Sequence, residues 1–379
     1  MIKTNTLLKY PGGKTKELSI IHQYIPSNFE NYYEAFVGGG SVFFSIEAKN
    51  YFINDKATEL INLYKMIKEE NQIFLEYVQR INKDWKLLDD VCEKHFNELK
   101  EYYKQFFAED ISKDVLKTII AFFVEKNKVE FNGMLSNDFN INIPNFITEI
   151  SKSIANKYSR MKKNNISPNI DLDMKLNFLC AFKTAFYNHF RHLYNYPEKY
   201  SINTEFYTAI FLFVREYCYA SMYRYNRLGK FNVPYGGISY NEKDLTNKLN
   251  NYTDKKILLK LKKTEVYNLD FEKFLNNSKI TKKDFLFLDP PYDTEFSTYS
   301  NNSFSKKEQI RLANHLIYNC KAKFMLIIKN TDFISELYKQ NTKTANGGKL
   351  NIIPFAKSYL VNFKNRNDKN VEHLLILNY

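Results

Sequence analysis

The segment FLFLDPPYDTEF, residues 285–296, sets an apolar run directly against an acid, two prolines and a tyrosine. Phe285 to Leu288 suit a central strand buried on both faces, and Pro290 and Pro291 forbid that strand from continuing. Asp289 is therefore expected at a strand's carboxyl end, the edge of an open α/β sheet at which ligands bind. A carboxylate, a proline carbonyl and the Tyr292 ring would there offer two acceptors for an NH₂ group and a face on which a base can stack. That set suits an adenine removed from its stack. The lone pair of an exocyclic amine is delocalised into the ring, so acceptors that draw its hydrogens out of plane help localise it toward an electrophile such as a sulfonium methyl. Such a displacement asks for alignment and dryness, and for neither a metal nor a covalent enzyme intermediate.

Two glycine segments would form further walls of the same pocket. In YYEAFVGGGSVFF, Gly38, Gly39 and Gly40 follow a strand and let backbone approach a nucleotide closely. Phe43 stands where a dinucleotide fingerprint needs its third glycine, which disfavours an NAD enzyme. YFIND then ends a second strand in Asp55, whose carboxylate could accept from both hydroxyls of a ribose or, more simply, cap the helix of KATELINLYKMIK. LLKYPGGKTKEL adds Tyr10, Gly12, Gly13 and Lys14, which read separately are only an aromatic, a turn and a surface lysine.

The elements that must position these residues fall into two styles. Tyr32 to Phe36 and Tyr51 to Ile53 read as strands, with a weaker one opening at Leu7, and SVFFSIEAKN has the length of a crossover helix, giving a βαβ unit. The C-terminal third repeats the alternation with FLFLDPP, the helix KKEQIRLANHLIYNC, the strand KFMLIIKN and finally VEHLLILNY. Between them the chain is rich in Lys, Glu, Asn, Tyr and Phe at helical spacing, as in Leu60, Leu63, Tyr64 and Ile67, or Phe178, Phe182, Ala185 and Phe186, stripes that read first as core packing. The expectation is an α/β catalytic domain of residues 1–58 and 260–379 with a mostly helical insertion at 59–259. KLNNYTDKKILLKLKK is read as a solvated basic stretch leading back to the sheet.

Length and composition agree with this division. A chain of 379 residues exceeds what one core usually organises, and a net charge of +13 with pI ≈ 9.2 points to a polyanionic partner. Cys92, Cys180, Cys218 and Cys320 are too scattered for a metal pair or a disulfide framework and read as free thiols of a reducing compartment. No stretch approaches the ~20 apolar residues that span a bilayer, and MIKTNTLLKYPGGK lacks a signal-peptide core. A cytoplasmic, nucleoid-associated protein of bacterial or phage type is expected.

KYPGGK, EAFVGGGSVFF, INDKATELINLYKMIK, RYNRLGKFNVPYGG, FLDPPY and VEHLLILNY occur in the order seen in Dam-like DNA adenine methyltransferases, and the chain resembles that family from end to end. The resemblance implies a Rossmann-like sheet that binds S-adenosylmethionine, with target recognition inserted between the glycine motif and DPPY. It places Tyr10, Lys14, Phe36, Gly38, Gly40, Asp55 and Asp289 at the cofactor, with Asp270 of VYNLDFEKF beside the cofactor's adenine, and Asp289, Pro290, Pro291 and Tyr292 around the target base. It implies duplex DNA as substrate, with a separately encoded restriction endonuclease as an optional partner and no metal. Tyr10 replaces the family's usual tryptophan while keeping an aromatic face. Ala220 stands where enzymes of the GATC type carry asparagine, which removes the ground for assuming that site.

Independently, RYNRLGKFNVPYGG reads as a hairpin turning near Leu228 and Gly229. Tyr219, Arg224, Asn226, Arg227, Lys230 and Asn232 are its candidate DNA contacts, because arginine reads guanine in the major groove and an aromatic can wedge into a stack. A basic surface hairpin with packed tyrosines is the plainer alternative. Methylation of RNA, or a silent DNA-binding protein, are the competing functions. Methylation at a cytosine ring carbon needs a cysteine nucleophile, and no cysteine here follows a proline in the expected manner.

Overall fold

A computed structural model describes residues 6–291, 304–358 and 370–379. Tyr292 therefore lies outside the described residues. The chain forms two compact units, one of Met1–Glu69 with Tyr252–Tyr379 and one of Glu70–Asn251. The helical unit thus opens eleven residues after the composition shift at Glu59, because the amphipathic helix Thr58–Lys68 buries Leu60, Ile61, Leu63 and Tyr64 within the first unit.

The first unit is built on a seven-stranded sheet. Its strands are β1 (Asn31–Glu34), β2 (Asn50–Asn54), β3 (Thr264–Tyr267), β4 (Phe285–Leu288), β5 (Lys323–Lys329), β6 (Asn351–Ser358) and β7 (Asn370–Leu377). Their order is β3-β2-β1-β4-β5-β7-β6, with β7 antiparallel to both neighbours and β1 to β5 mutually parallel. Every residue of β4 is buried, as its unbroken apolar run requires at the centre of a two-faced sheet. One face is covered by a cluster containing Tyr33, Leu286, Leu288, Leu312, Leu316 and Leu326. Strand order reverses between β1 and β4, and the crevice beyond their carboxyl ends is the place for a ligand in such a sheet.

Three local expectations fail here. The segment at Leu7 forms no strand. SVFFSIEAKN holds only a single 3₁₀ turn, Phe43–Ser45, because the chain leaves it extended at Ile46, where the Tyr51 hydroxyl donates to the Ile46 carbonyl at 3.3 Å and accepts from Ala48 N–H at 2.9 Å; the Ser45 hydroxyl also bonds back to the Val42 carbonyl. The basic stretch before β3 is not merely solvated, since it forms helices Thr246–Tyr252 and Lys255–Lys262 that bury Tyr252, Ile257 and Leu261.

The second unit is helical, with long helices at Gln72–Lys94, Ile143–Lys163, Asp171–Asn195 and Thr204–Tyr217. Its aromatic stripes are core: Trp85 sits 5.8 Å from the Phe186 ring, 5.4 Å from Phe213 and 4.6 Å from Tyr217, and its indole N–H reaches the Lys243 carbonyl at 2.9 Å. All four cysteines are buried and free.

Candidate active site

The switch point between β1 and β4 brings an acid and a lysine from distant parts of the chain together. Asp289 directly follows β4 and is paired with Lys14, whose side chain is 1% exposed against 17% for the acid. Lys14 Nζ also donates to the Gly12 carbonyl at 2.8 Å, and its backbone N–H to Ser41 Oγ at 2.9 Å, so the Pro-Gly-Gly segment is tied to the glycine turn. Lys14 is thus no surface lysine. An ion pair this withdrawn is costly to half-remove, and it fixes where the Asp289 carboxylate points.

The glycine turn is shaped by its own chain. Gly38 and Gly40 have φ of +49° and +78°. A Cβ on Gly39 would come within 2.5 Å of the Leu8 carbonyl, and one on Gly38 within 3.2 Å of the Tyr10 ring. Tyr10 therefore covers the turn, and the close approach that demands glycine is by the Leu8–Tyr10 segment.

Asp55 follows β2 and has both carboxylate oxygens engaged. Gly38 N–H donates to Oδ2 and Ala57 N–H to Oδ1, each at 3.0 Å. It braces the glycine turn and the entry to helix Thr58–Lys68 at once, so the capping role is present, and each oxygen keeps lone-pair capacity for a hydroxyl. Burial pushes its pKa up, while the backbone N–H groups of Ala57, Gly38 and Lys56 pull it back. Asn54 locks the neighbouring loop by donating to the Ala35 and Leu269 carbonyls and accepting from Leu269 N–H.

Asp270 lies on that loop with its carboxylate occupied. It caps helix Phe271–Asn277 through Glu272 N–H at 3.1 Å and pairs with Arg311 at 2.8 Å, and the guanidinium helps to hold its pKa below the usual carboxylate value. Phe36 stands beside it, 5.6 Å from the Phe271 ring and 5.5 Å from Phe304.

Two residues were not singled out from the sequence. Glu34, the last residue of β1, is buried and accepts from the Tyr32 hydroxyl at 2.7 Å. Burial raises its pKa well above the ordinary glutamate value, Asp289 and Asp55 add to the rise, and Lys14 opposes it. Its signal was an acid closing an apolar strand, the same that marked Asp289. Gln309, on helix Lys306–Asn314, is fully buried and donates from Nε2 to the Pro291 carbonyl at 3.2 Å. No local signal marks it, because its partner lies eighteen residues earlier.

In the helical unit, residues 219–240 reverse direction as expected. The reversal is held by isolated pairings, Cys218 with Tyr235 and Tyr225 with Phe231, and not by a continuous ladder. Gly229 has φ of +69° at the turn. Asn226 builds that turn, its Oδ1 accepting from Leu228 and Lys230 N–H, while Lys230 Nζ reaches the Asn195 carbonyl at 2.6 Å. Asn232 holds Arg224 through Nε at 2.9 Å. Tyr219, Arg224, Asn226 and Arg227 are the exposed members of the set, and of these Asn226 has its Oδ1 engaged in the turn. Among the described residues no group of three or more His, Cys, Asp or Glu could hold a metal ion, and no helix is long and apolar enough to cross a membrane.

The family model for D12 class N6 adenine-specific DNA methyltransferases matches residues 10–180 and 120–352. The chain is 26% identical to the type II methyltransferase M.CviBI of Paramecium bursaria Chlorella virus NC1A, over 98% of this chain and 99% of the relative. It is 24% identical to the type II methyltransferase M.MjaIII of Methanocaldococcus jannaschii over the whole of both chains, and 30% identical to the retron Ec67 DNA adenine methylase of Escherichia coli over 42% of this chain and 53% of that protein.

Proposed function

The chain belongs to the D12 class of N6 adenine-specific DNA methyltransferases, and from that premise we propose which residues carry the reaction and what they hold. S-adenosylmethionine binds over the carboxyl ends of β1, β2 and β4, against Tyr10, Lys14, Phe36, Gly38, Gly40, Asp55 and the Asp270 loop. The charges there suit a cation better than a pyrophosphate: Asp289, paired with Lys14, and Asp55, held by the N–H groups of Gly38 and Ala57, place two carboxylates at the strand ends on either side of β1. When bound, the cofactor supplies a methyl group activated by that sulfonium.

The protein's own part is positioning. Asp289, aimed by Lys14, accepts one hydrogen of the adenine amine, and the Pro290 carbonyl accepts the other, so that the nitrogen lone pair turns toward the methyl. Pro291 is held from behind by Gln309. Tyr292 stacks on the base once it has left the helix. Tyr219, Arg224 and Arg227 of the hairpin meet the duplex, with Asn226, Lys230 and Asn232 shaping it. A separately encoded endonuclease completes a restriction pair, in keeping with the type II names of two relatives.

The observation that carries this reading is the pairing of the buried Lys14 with the partly buried Asp289 at the topological switch point. Its test is to express the chain in a host lacking adenine methylation and sequence the genome with modification detection. N6-methyladenine in one recurring motif, lost with Asp289→Ala, is expected. Wild-type protein that leaves the genome unmodified would sink the proposal.

A further inference from the structure

The helical unit contains a trough that the assigned chemistry leaves unused. It runs between helices Ile143–Lys163 and Asp171–Asn195 and along the hairpin, as two adjoining hollows of ≈ 490 Å³ and ≈ 310 Å³ that share Glu149, Asn188 and Arg191. The smaller hollow ends on Asn226, Lys230 and Asn232, so it continues directly from the hairpin. The larger is walled by Lys152, Lys157 and Arg160 of the first helix. Against the cations Lys152, Lys157, Arg160, Arg191 and Lys230, the lining residues include one carboxylate, Glu149.

The fixed contacts show how the trough is set. Arg191 is held by the Val233 carbonyl at 2.9 Å, Glu149 accepts from Asn188 at 2.9 Å, and Lys152 lies 3.4 Å from Glu149 with 61% of its side chain exposed. Lys157 leans to the floor, its Nζ 3.1 Å from Cys180 Sγ, and Arg160 is exposed. Lys152 and Arg160 stand two turns apart on one face, about 12 Å at 1.5 Å per residue. Successive phosphates of one strand lie farther apart along the backbone than the ~3.4 Å they rise along the helix axis, so this wall spans two or three of them. Hollows of this size admit a sugar-phosphate strand and not the body of a duplex.

We propose that this trough is a second DNA contact, taking one phosphodiester strand of the duplex that flanks the methylated site. The proposal rests on the methyltransferase reading above and adds to it a sequence-independent grip beyond the hairpin. It makes affinity depend on flanking length, and it leaves the choice of motif to other residues.

The test uses the full chain and two duplexes carrying the motif recovered from the modified genome, one ending about 3 base pairs beyond it and one about 20, titrated over a range of salt. The combined variant Lys152→Gln/Lys157→Gln/Arg160→Gln should bind the long duplex on the order of 10-fold more weakly, with the slope of log affinity against log salt reduced by ~2–3. Its affinity for the short duplex and its methylated motif should be those of the parent. Glu149→Gln, which still accepts from Asn188, should bind the long duplex more tightly. If the combined variant folds poorly by Trp85 emission, Arg160→Gln alone should lower the slope by ~0.9. An unchanged slope on the long duplex, equal losses on both lengths, or a loss seen with RNA duplex but not DNA would each overturn the proposal. None of these outcomes touches the methyltransferase reading, which stands or falls on the modified genome.

Discussion

Gln309 and Glu34 act on the site through other groups, and each gives a prediction that a packing role would not. Gln309, itself fully buried, holds the carbonyl of the exposed Pro291 through Nε2. In Gln309→Glu the ionised carboxylate would set two acceptors against each other, whereas the protonated acid can still donate. Burial raises the pKa of such an acid, so methyl transfer by the variant should fall by ~10²-fold at high pH and recover as pH drops through that raised value, while the parent shows no such step. Parallel pH–rate profiles would remove Gln309 from the alignment of the turn. Glu34 concerns stability. Its folded pKa lies well above the ordinary value, chiefly through burial, so the folded state binds the proton more tightly than the unfolded chain does. The stability it contributes is therefore full below the usual glutamate pKa and is lost as pH rises through the raised one. Glu34→Gln keeps an acceptor for the Tyr32 hydroxyl and carries no charge. The cofactor-free variant should match the parent near pH 4 and melt increasingly higher than it as pH rises; a constant gap in melting temperature would show that Glu34 does not titrate in this window.

At the scale of elements, what could be read from the sequence was what is decided within a few residues. FLFLDPP announced both a buried strand and its stop, because an apolar run and a double proline act locally, and β4 ends where they require. The crossover after β1 reads as a helix because SVFFSIEAKN has helical composition, while the fold ends its one turn at an extended Ile46 whose carbonyl is taken by the Tyr51 hydroxyl of β2, a contact composition does not show. Lys14 read alone was a surface lysine, since its burial depends on Asp289, which lies 275 residues away. The hairpin was legible from its turn, but which side chains face outward was not. Asn226 and Lys230 are spent on the turn and on the Asn195 carbonyl, and Asn232 on Arg224. That last contact carries a prediction. If Arg224 reads a base edge, Arg224→Ala should cost ~1–3 kcal/mol on the cognate motif and relax preference at one position, and Asn232→Ala should reproduce a milder form of the same relaxation by freeing the guanidinium. A panel of single-base variants at two salt concentrations separates this from a phosphate contact, which would weaken every sequence alike and lower the salt slope by ~0.9. Unaltered preference in Arg224→Ala would defeat the assignment as reader, and unaltered preference in Asn232→Ala would deny that the pairing matters.

For the whole molecule, the division into two units with separate cores has a measurable consequence. The sheet unit's core centres on β4 and β5, whereas the helical unit's packs around Trp85, the chain's sole tryptophan. Trp85 is 1% exposed, so its emission reports the unfolding of the helical unit alone. Proposed cofactor contacts lie entirely in the other unit. A ligand that binds the folded form stabilises what it binds, by ~2.7 kcal/mol at a hundredfold excess over Kd. Calorimetry on the full chain should therefore resolve two transitions, and S-adenosylmethionine should raise only the one that Trp85 emission does not follow. Asp55→Ala should cancel that rise, because the carboxylate is proposed to hold the cofactor's ribose, at a cost of ~1.5–3 kcal/mol in binding for a hydrogen bond to a charged group. Duplex DNA should act on the transition that Trp85 does report, and should lose that effect as salt is added. If the cofactor moved the Trp85 midpoint as far as the calorimetric one, the two units would be unfolding as a single cooperative body, and two-state bookkeeping would apply to the chain as a whole. If the cofactor moved neither transition, it would not bind at the strand ends that carry Asp55 and the Lys14–Asp289 pair.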